Sequence, residues 1–210
     1  MNIFAATGYG VDVGVSRADD LDKKLLALVV GKAGVRVLDI GCGAGGVAAR
    51  LQAIGAEMVG VDRFDFAPAW QSIGEFHHGD VRDLKSMLPG AHFDYCLCQR
   101  MLHYVPHADA VSVLSHLRQI IDNQLYISFS GLTSALAPGY QVASVPIEQR
   151  HGFLGTEQQQ TFGITTPITL YREAEAIALL EQGGWQVDWV RTSDFGNIKI
   201  IATPNQSLIY

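Results

Sequence analysis

Apolar positions along the chain fall into short runs that switch between two periods. Leu21, Leu25, Leu28 and Val29 recur at helical spacing over residues 20–30, behind Asp19 and Asp20 as candidate caps. Gly31 and Gly34 close that helix, and residues 35–40 then form a short β-branched, apolar run of the kind buried on both faces of a sheet. Glycines follow at once. A helical stretch at 47–54 closed by Gly55 leads to a second buried strand, 58–61, that ends at Asp62. A third strand begins at Phe76 and ends near Asp80, with a short helix at 84–88 stopped by Pro89 and Gly90. The next strand spans 93–98, a helix marked by Val111, Leu114, Leu117 and Ile121 spans 108–121, and a strand follows at 125–129. Strand and helix alternating at this pace predict a doubly wound α/β fold, Rossmann-like, with a parallel sheet covered on both faces.

The rhythm breaks after Gly131. Residues 132–166 hold several glycines and prolines with weak periodicity, too long a stretch for an idle connection. A helix at 171–182 ends at Gly183 and Gly184. Two strands follow, 186–191 and 197–203, joined by five residues, which makes them an antiparallel hairpin. The expected sheet is therefore mostly parallel and seven-stranded, with an antiparallel final strand. The chain is expected to be a single domain over 1–210, with a lid and helix at 1–33 and an acceptor-side insertion at 132–166.

Composition narrows the partners. With 210 residues, 48% hydrophobic and 17% charged, the sequence is that of a globular domain. A formal net charge of -6 disfavours affinity that rests on neutralising phosphates, so nucleic acid is set aside as a partner. Cys42, Cys96 and Cys98 are too few for a disulfide framework and lack zinc spacing, and the seven histidines show no paired metal-ligand spacing. No metal is expected. The first residues lack the basic and apolar regions of a secretion signal, and no apolar run reaches bilayer length, so a cytoplasmic protein without membrane attachment is expected. Nothing in the sequence sets an oligomeric state.

The chemistry concentrates in Val37-Leu38-Asp39-Ile40-Gly41-Cys42-Gly43-Ala44-Gly45-Gly46. Glycines at the carboxyl end of a first strand let the backbone turn tightly and approach a ligand. Gly41, Gly43 and Gly46 also satisfy the dinucleotide fingerprint, so spacing alone leaves the cofactor open. Asp39 tips the choice. A carboxylate ahead of the turn repels a pyrophosphate but suits the ammonium and sulfonium of a methionine-like ligand, although a plain turn or cap is the competing reading.

This segment resembles the first motif of the class I S-adenosylmethionine-dependent methyltransferases, and the order of later elements is similar across nearly the whole chain. The resemblance implies S-adenosyl-L-methionine as cofactor, with S-adenosyl-L-homocysteine as product, held by Asp39 and the loop of Gly41, Cys42 and Gly43. It further implies that Asp62 holds the ribose hydroxyls, that Asp80 accepts from the adenine amino group beside the Val81 N–H, and that Gln99 meets the methionine part. Asp122-Asn123-Gln124 departs from the Pro-Gly-Gly turn of many members, which puts the loop geometry there in question.

The expected function is methyl transfer to a small-molecule acceptor. His103 is the candidate base and Tyr104 a group that orients the acceptor, in a segment that often faces the methyl group in the family; packing at a helix start is the competing reading for His103. Tyr140, Glu148, Arg150 and His151 of the insertion are candidate acceptor contacts, and Thr7-Gly8-Tyr9-Gly10 a candidate lid with glycine hinges. The Asn/Asp-Pro-Pro-aromatic motif of relatives that methylate base amines or protein amides is absent, Cys98-Gln99-Arg100-Met101 standing there instead. Two alternatives remain at this point. A nicotinamide-dependent oxidoreductase accounts for Asp62 but leaves Asp39 awkward and lacks a Tyr-x-x-x-Lys pair; a non-catalytic S-adenosylmethionine-binding protein keeps the pocket without transfer.

Overall fold

The computed structural model describes residues 19–206. The lid expected at Thr7–Gly10 lies outside them. The chain begins with helix α1 (Asp20–Val29), capped by Asp19, whose carboxylate accepts from the Leu21 N–H at 2.9 Å. Asp22 completes a capping box by accepting from the Asp19 N–H at 3.2 Å.

Alternation then follows the hydrophobic pattern, with one short helix, α3, that the pattern did not predict: β1 (Arg36–Ile40), α2 (Gly46–Gln52), β2 (Glu57–Asp62), α3 (Ala67–Trp70), β3 (Gly74–His78), α4 (Leu84–Met87), β4 (Phe93–Gln99), α5 (His107–Ile120) and β5 (Ile121–Ser130). The second half adds β6 (His151–Gly152), α6 (Thr156–Phe162), β7 (Ile168–Thr169), α7 (Glu173–Gln182), β8 (Trp185–Thr192) and β9 (Asn197–Pro204). The seven-stranded sheet has the order β3-β2-β1-β4-β5-β9-β8. Its first five strands are parallel, and β9 runs antiparallel to both β5 and β8. The last strand of the chain is thus the reversed one, but it is threaded between β5 and β8 rather than placed at the edge.

Period-two alternation sorts side chains onto two faces. Leu38, Ile40, Cys96 and Ile127 join one core with Leu114 and Leu117 of α5, Leu179 of α7 and Trp185. Val37, Tyr95, Leu97 and Tyr126 join the other, with Leu21 and Leu25 of α1, Leu51 of α2 and Trp70 of α3. The Asp122-Asn123-Gln124 departure has a structural counterpart: α5 ends at Ile120 and β5 begins at Ile121, so these residues continue the strand without a turn.

The stretch after β5 is not an irregular loop. It carries α6 and the β6–β7 pair, and it buries Leu136, Tyr140, Leu154, Ile164, Ile168 and Leu170 in a core of its own. The signal was weak because each element there is short.

Candidate active site

In the sheet order the chain reverses direction of travel between β1 and β4, and open α/β sheets bind ligands beyond the carboxyl ends of their strands at such a point. A cavity of about 670 Å³ lies there. Strand order divides its lining. Asp39, Gly41, Cys42, Asp62, Asp80 and Val81 come from the ends of β1, β2 and β3, whereas Arg100, Met101, His103, Tyr104, Ser130 and His151 come from the ends of β4 and β5 and from the insertion.

The glycine loop is shaped by three left-handed residues, Gly41, Gly43 and Gly45, with φ of 70°, 52° and 77°. Gly41 also lacks room: a Cβ there would lie 2.5 Å from Met101 Cγ. The loop is fastened from several sides. The Gly41 N–H donates to the Val61 carbonyl at 2.8 Å, the Gly43 N–H donates to Asp62 Oδ2 at 2.9 Å, and the buried indole of Trp70 donates to the Gly43 carbonyl at 3.0 Å. Gly60 keeps the indole in place by leaving space, since a Cβ there would meet the Trp70 ring at 2.5 Å. Neither Trp70 nor Gly60 announces this role in the sequence.

Asp39 is 7% exposed and lines the cavity. Among the described residues its carboxylate has no hydrogen-bond or ion-pair partner. Burial, with the nearby negative charge of Asp22 and Asp62, pushes its pKa up to about 8. An acid held in this way gains most from a cationic ligand. Asp62 is also raised, by burial, although its oxygens accept from the Gly43 and Phe64 N–H groups at 2.9 Å each. The Arg63 N–H is a third donor to it, and a carboxylate offers about four acceptor positions, so roughly one remains for a ribose hydroxyl.

Asp80 is arranged differently. Arg82 grips it through Nε at 2.8 Å and Nη2 at 2.7 Å, and the Arg82 N–H adds a bond at 3.0 Å. These hydrogen bonds hold its pKa down at about 2 against burial, and leave roughly one acceptor position on Oδ2. Val81 is buried beside it. Gln99 ends β4, and its side-chain amide donates to Asp22 Oδ1. Asp22, itself fully buried and ion-paired with Arg50 at 2.8 Å, ties α1 to the floor of the site. That role escapes sequence reading, because Asp22 looks like one more first-turn acid.

Beyond β4, Arg100 adopts φ 51°, the single left-handed non-glycine among the described residues. The 3₁₀ turn Leu102–Tyr104 follows. His103 is 2% exposed, lines the cavity, and neither of its ring nitrogens has a hydrogen-bond partner among the described residues. Burial, then the charges of Arg100 and His151, push its pKa down to about 3, so the ring is neutral at working pH. Its ring lies 4.3 Å from that of Tyr104, which also lines the cavity.

Of the four candidates from the insertion, only His151 lines the cavity. Tyr140 is buried in the insertion's own core, its hydroxyl donating to the Arg150 and Ile168 carbonyls. Arg150 is buried against Glu175, with bonds of 2.5 and 2.9 Å, and donates to the Val145 carbonyl. Glu148 is exposed. No three-residue cluster of metal-ligating side chains exists among the described residues.

Residues 37–124 match the family model described as a methyltransferase domain. That stretch is similar to a methyltransferase domain. The match spans the glycine loop, Asp62, Asp80 and the His103 turn. Over 100 residues the domain is 32% identical to a ubiquinone biosynthesis O-methyltransferase of Aromatoleum aromaticum, covering 43% of this chain and 41% of that one. It is 32% identical over 127 residues to the enzyme of the same name from Chromobacterium violaceum, covering 55% and 52%. The matched stretch thus spans about half the length of these curated relatives or less. The fold is shared more widely. The magnesium protoporphyrin IX methyltransferase of Synechocystis, solved with S-adenosylhomocysteine, superposes with TM-score 0.66 at 20% identity over 96% of both chains. An S-adenosylmethionine-dependent methyltransferase of Mesorhizobium loti superposes with TM-score 0.65 at 15% identity over 87% of this chain and 97% of that one.

Proposed function

We infer that the protein is an S-adenosylmethionine-dependent methyltransferase acting on a small-molecule acceptor. The observation that carries this reading is the end of the cavity where Asp39, buried and without a partner among the described residues, stands beside Gly41, Cys42 and Asp62. A nicotinamide cofactor would place its pyrophosphate at the glycine loop beside Asp39, where the charge repels it. The solved methyltransferases of the same fold, one holding S-adenosylhomocysteine and one named as S-adenosylmethionine-dependent, support the same cofactor.

The residues fit the cofactor's chemistry: Asp39 would hold a cationic methionine portion, Asp62 keeps an acceptor position that would take a ribose hydroxyl, and Asp80 with the Val81 N–H would hold the adenine edge. When bound, the cofactor supplies a methyl group activated by its sulfonium. The protein's own contribution is placement of the acceptor in a site screened from water. His103 supplies a neutral imidazole for the acceptor's proton, and Tyr104 flanks the same end of the cavity.

The test is formation of S-adenosylhomocysteine from S-adenosylmethionine over a panel of hydroxylated and amino compounds. Turnover on at least one acceptor, lowered 100-fold or more in His103→Gln with cofactor affinity retained, is the expected result. Cofactor binding with no turnover on any acceptor would favour the non-catalytic alternative.

A further inference from the structure

Asp22 is an acid with 1% exposure, in a helix that borders the cavity through its cap, Asp19. Burying a carboxylate is costly unless its oxygens are partnered, and here both are. Oδ2 accepts from the Asp19 N–H at 3.2 Å and from Arg50 Nη2 at 2.8 Å, and Oδ1 accepts from the side-chain amide of Gln99. The donors come from three places that shape the site: the cap of α1, the helix α2 that follows the glycine loop, and the last residue of β4. Asp22 itself does not line the cavity, whereas Gln99 does.

The bond to Gln99 settles which way its amide points. An ionised carboxylate only accepts, so the end of the amide that meets it is the NH2 end. The amide oxygen is turned away from Asp22 and has no hydrogen-bond partner among the described residues. Strand order then says which part of a ligand lies nearby. Asp62 and Asp80, at and just beyond the β2 and β3 ends, would take the adenosine. The amino-acid part falls to the ends of β1 and β4, where Leu97 pairs with Asp39 and Gln99 closes the strand. Resting on S-adenosylmethionine as the cofactor, we propose that Asp22 is a positioning residue for that amino-acid part, holding the Gln99 amide so that its oxygen, and not its nitrogen, is presented to the ligand. An amide oxygen serves a donor, and the amino-acid part has one donor group, its ammonium. Fixing the amide in advance also spares the ordering of a long side chain on binding.

Calorimetric titration with S-adenosylhomocysteine and with 5′-methylthioadenosine, which keeps the adenosine and the sulfur but lacks the amino-acid part, tests the proposal. In Asp22→Asn, Arg50 holds the substituted group by its oxygen, its NH2 meets Gln99, and the Gln99 amide turns its own NH2 to the cavity. S-adenosylhomocysteine affinity is expected to fall about 10-fold, with 5′-methylthioadenosine affinity held within about 2-fold. Gln99→Met leaves the Asp22–Arg50 pair in place and is expected to do the same, and the double variant to bind no more weakly than the weaker single one. In the wild type, the Gln99 side-chain NH2 protons are expected to exchange with solvent about 10-fold more slowly than those of the exposed Gln160, a readout that needs no variant to fold. Equal loss of both ligands, unchanged S-adenosylhomocysteine affinity, additive losses in the double variant, or Gln99 exchange as fast as that of Gln160 each overturns the proposal. The wild-type titration reads the cofactor separately: no binding of S-adenosylhomocysteine there removes the cofactor reading, and this role of Asp22 with it.

Discussion

At the scale of single residues, the site is governed by acids that folding holds in an unfavourable state. The Asp39 pKa of about 8 stands above the usual 3.8, so between roughly pH 4 and pH 8 the folded protein keeps a proton that the unfolded chain has lost. Its effect on stability is therefore least harmful below pH 4 and grows more unfavourable as pH rises through 8. Asp22 and Asp62, both raised by burial, act in the same direction. Asp39→Asn is expected to raise thermal stability at pH 8 by roughly 1–3 kcal/mol, to flatten the decline between pH 5 and pH 8, and to weaken S-adenosylmethionine binding at least 10-fold. Melting curves across that range check it; a variant no more stable than the wild type at pH 8 would place the strain elsewhere. Asp39 was legible as a site residue because an acid directly before a glycine turn has an electrostatic meaning in one dimension. Asp22 and Trp70 were not, since their partners Gln99 and Gly43 lie 77 and 27 residues away.

At the scale of elements, the alternating strands and helices could be read because each parallel strand is buried on both faces and leaves an unbroken apolar run. The insertion resisted that reading. Its strands are two residues long and α6 buries none of its residues, so no period accumulates. What organises it instead is a polar clasp, Arg150 buried between β6 and α7 and gripped by Glu175. Burial acts to raise the Glu175 pKa, but hydrogen bonds from Arg150 and Arg172 outweigh it and hold the value down at about 2. A depressed carboxylate contributes stability that is full above its unfolded value near 4.5 and is lost as pH falls toward 2. Arg150→Met removes one partner of the buried pair and is expected to cost about 3–5 kcal/mol. Limited proteolysis should then cut within 132–170 while the parallel sheet persists. Unaltered resistance there would show that the insertion's apolar core suffices without the clasp.

At the scale of the whole molecule, one sheet places two chemistries end to end. The β1, β2 and β3 ends present acids and glycines, and the β4, β5 and β9 ends present imidazoles and apolar rings. The reversed β9 serves this division by bringing Asn197, opposite Ser130 of β5, to the same edge of the sheet as the parallel strands' carboxyl ends. On the proposed methyl-transfer reading, donor and acceptor would meet in line, and the cavity spans the β1–β4 switch point where such ligands bind. The central claim is the identity of the donor. Calorimetric titration of the wild type and of Asp62→Ala with S-adenosylmethionine, S-adenosylhomocysteine, NAD and NADP tests it most directly. Binding of the two sulfur compounds alone, weakened at least 10-fold by the substitution, is the expected result; binding of NAD or NADP with no response to either sulfur compound would assign the cavity to a nicotinamide cofactor instead.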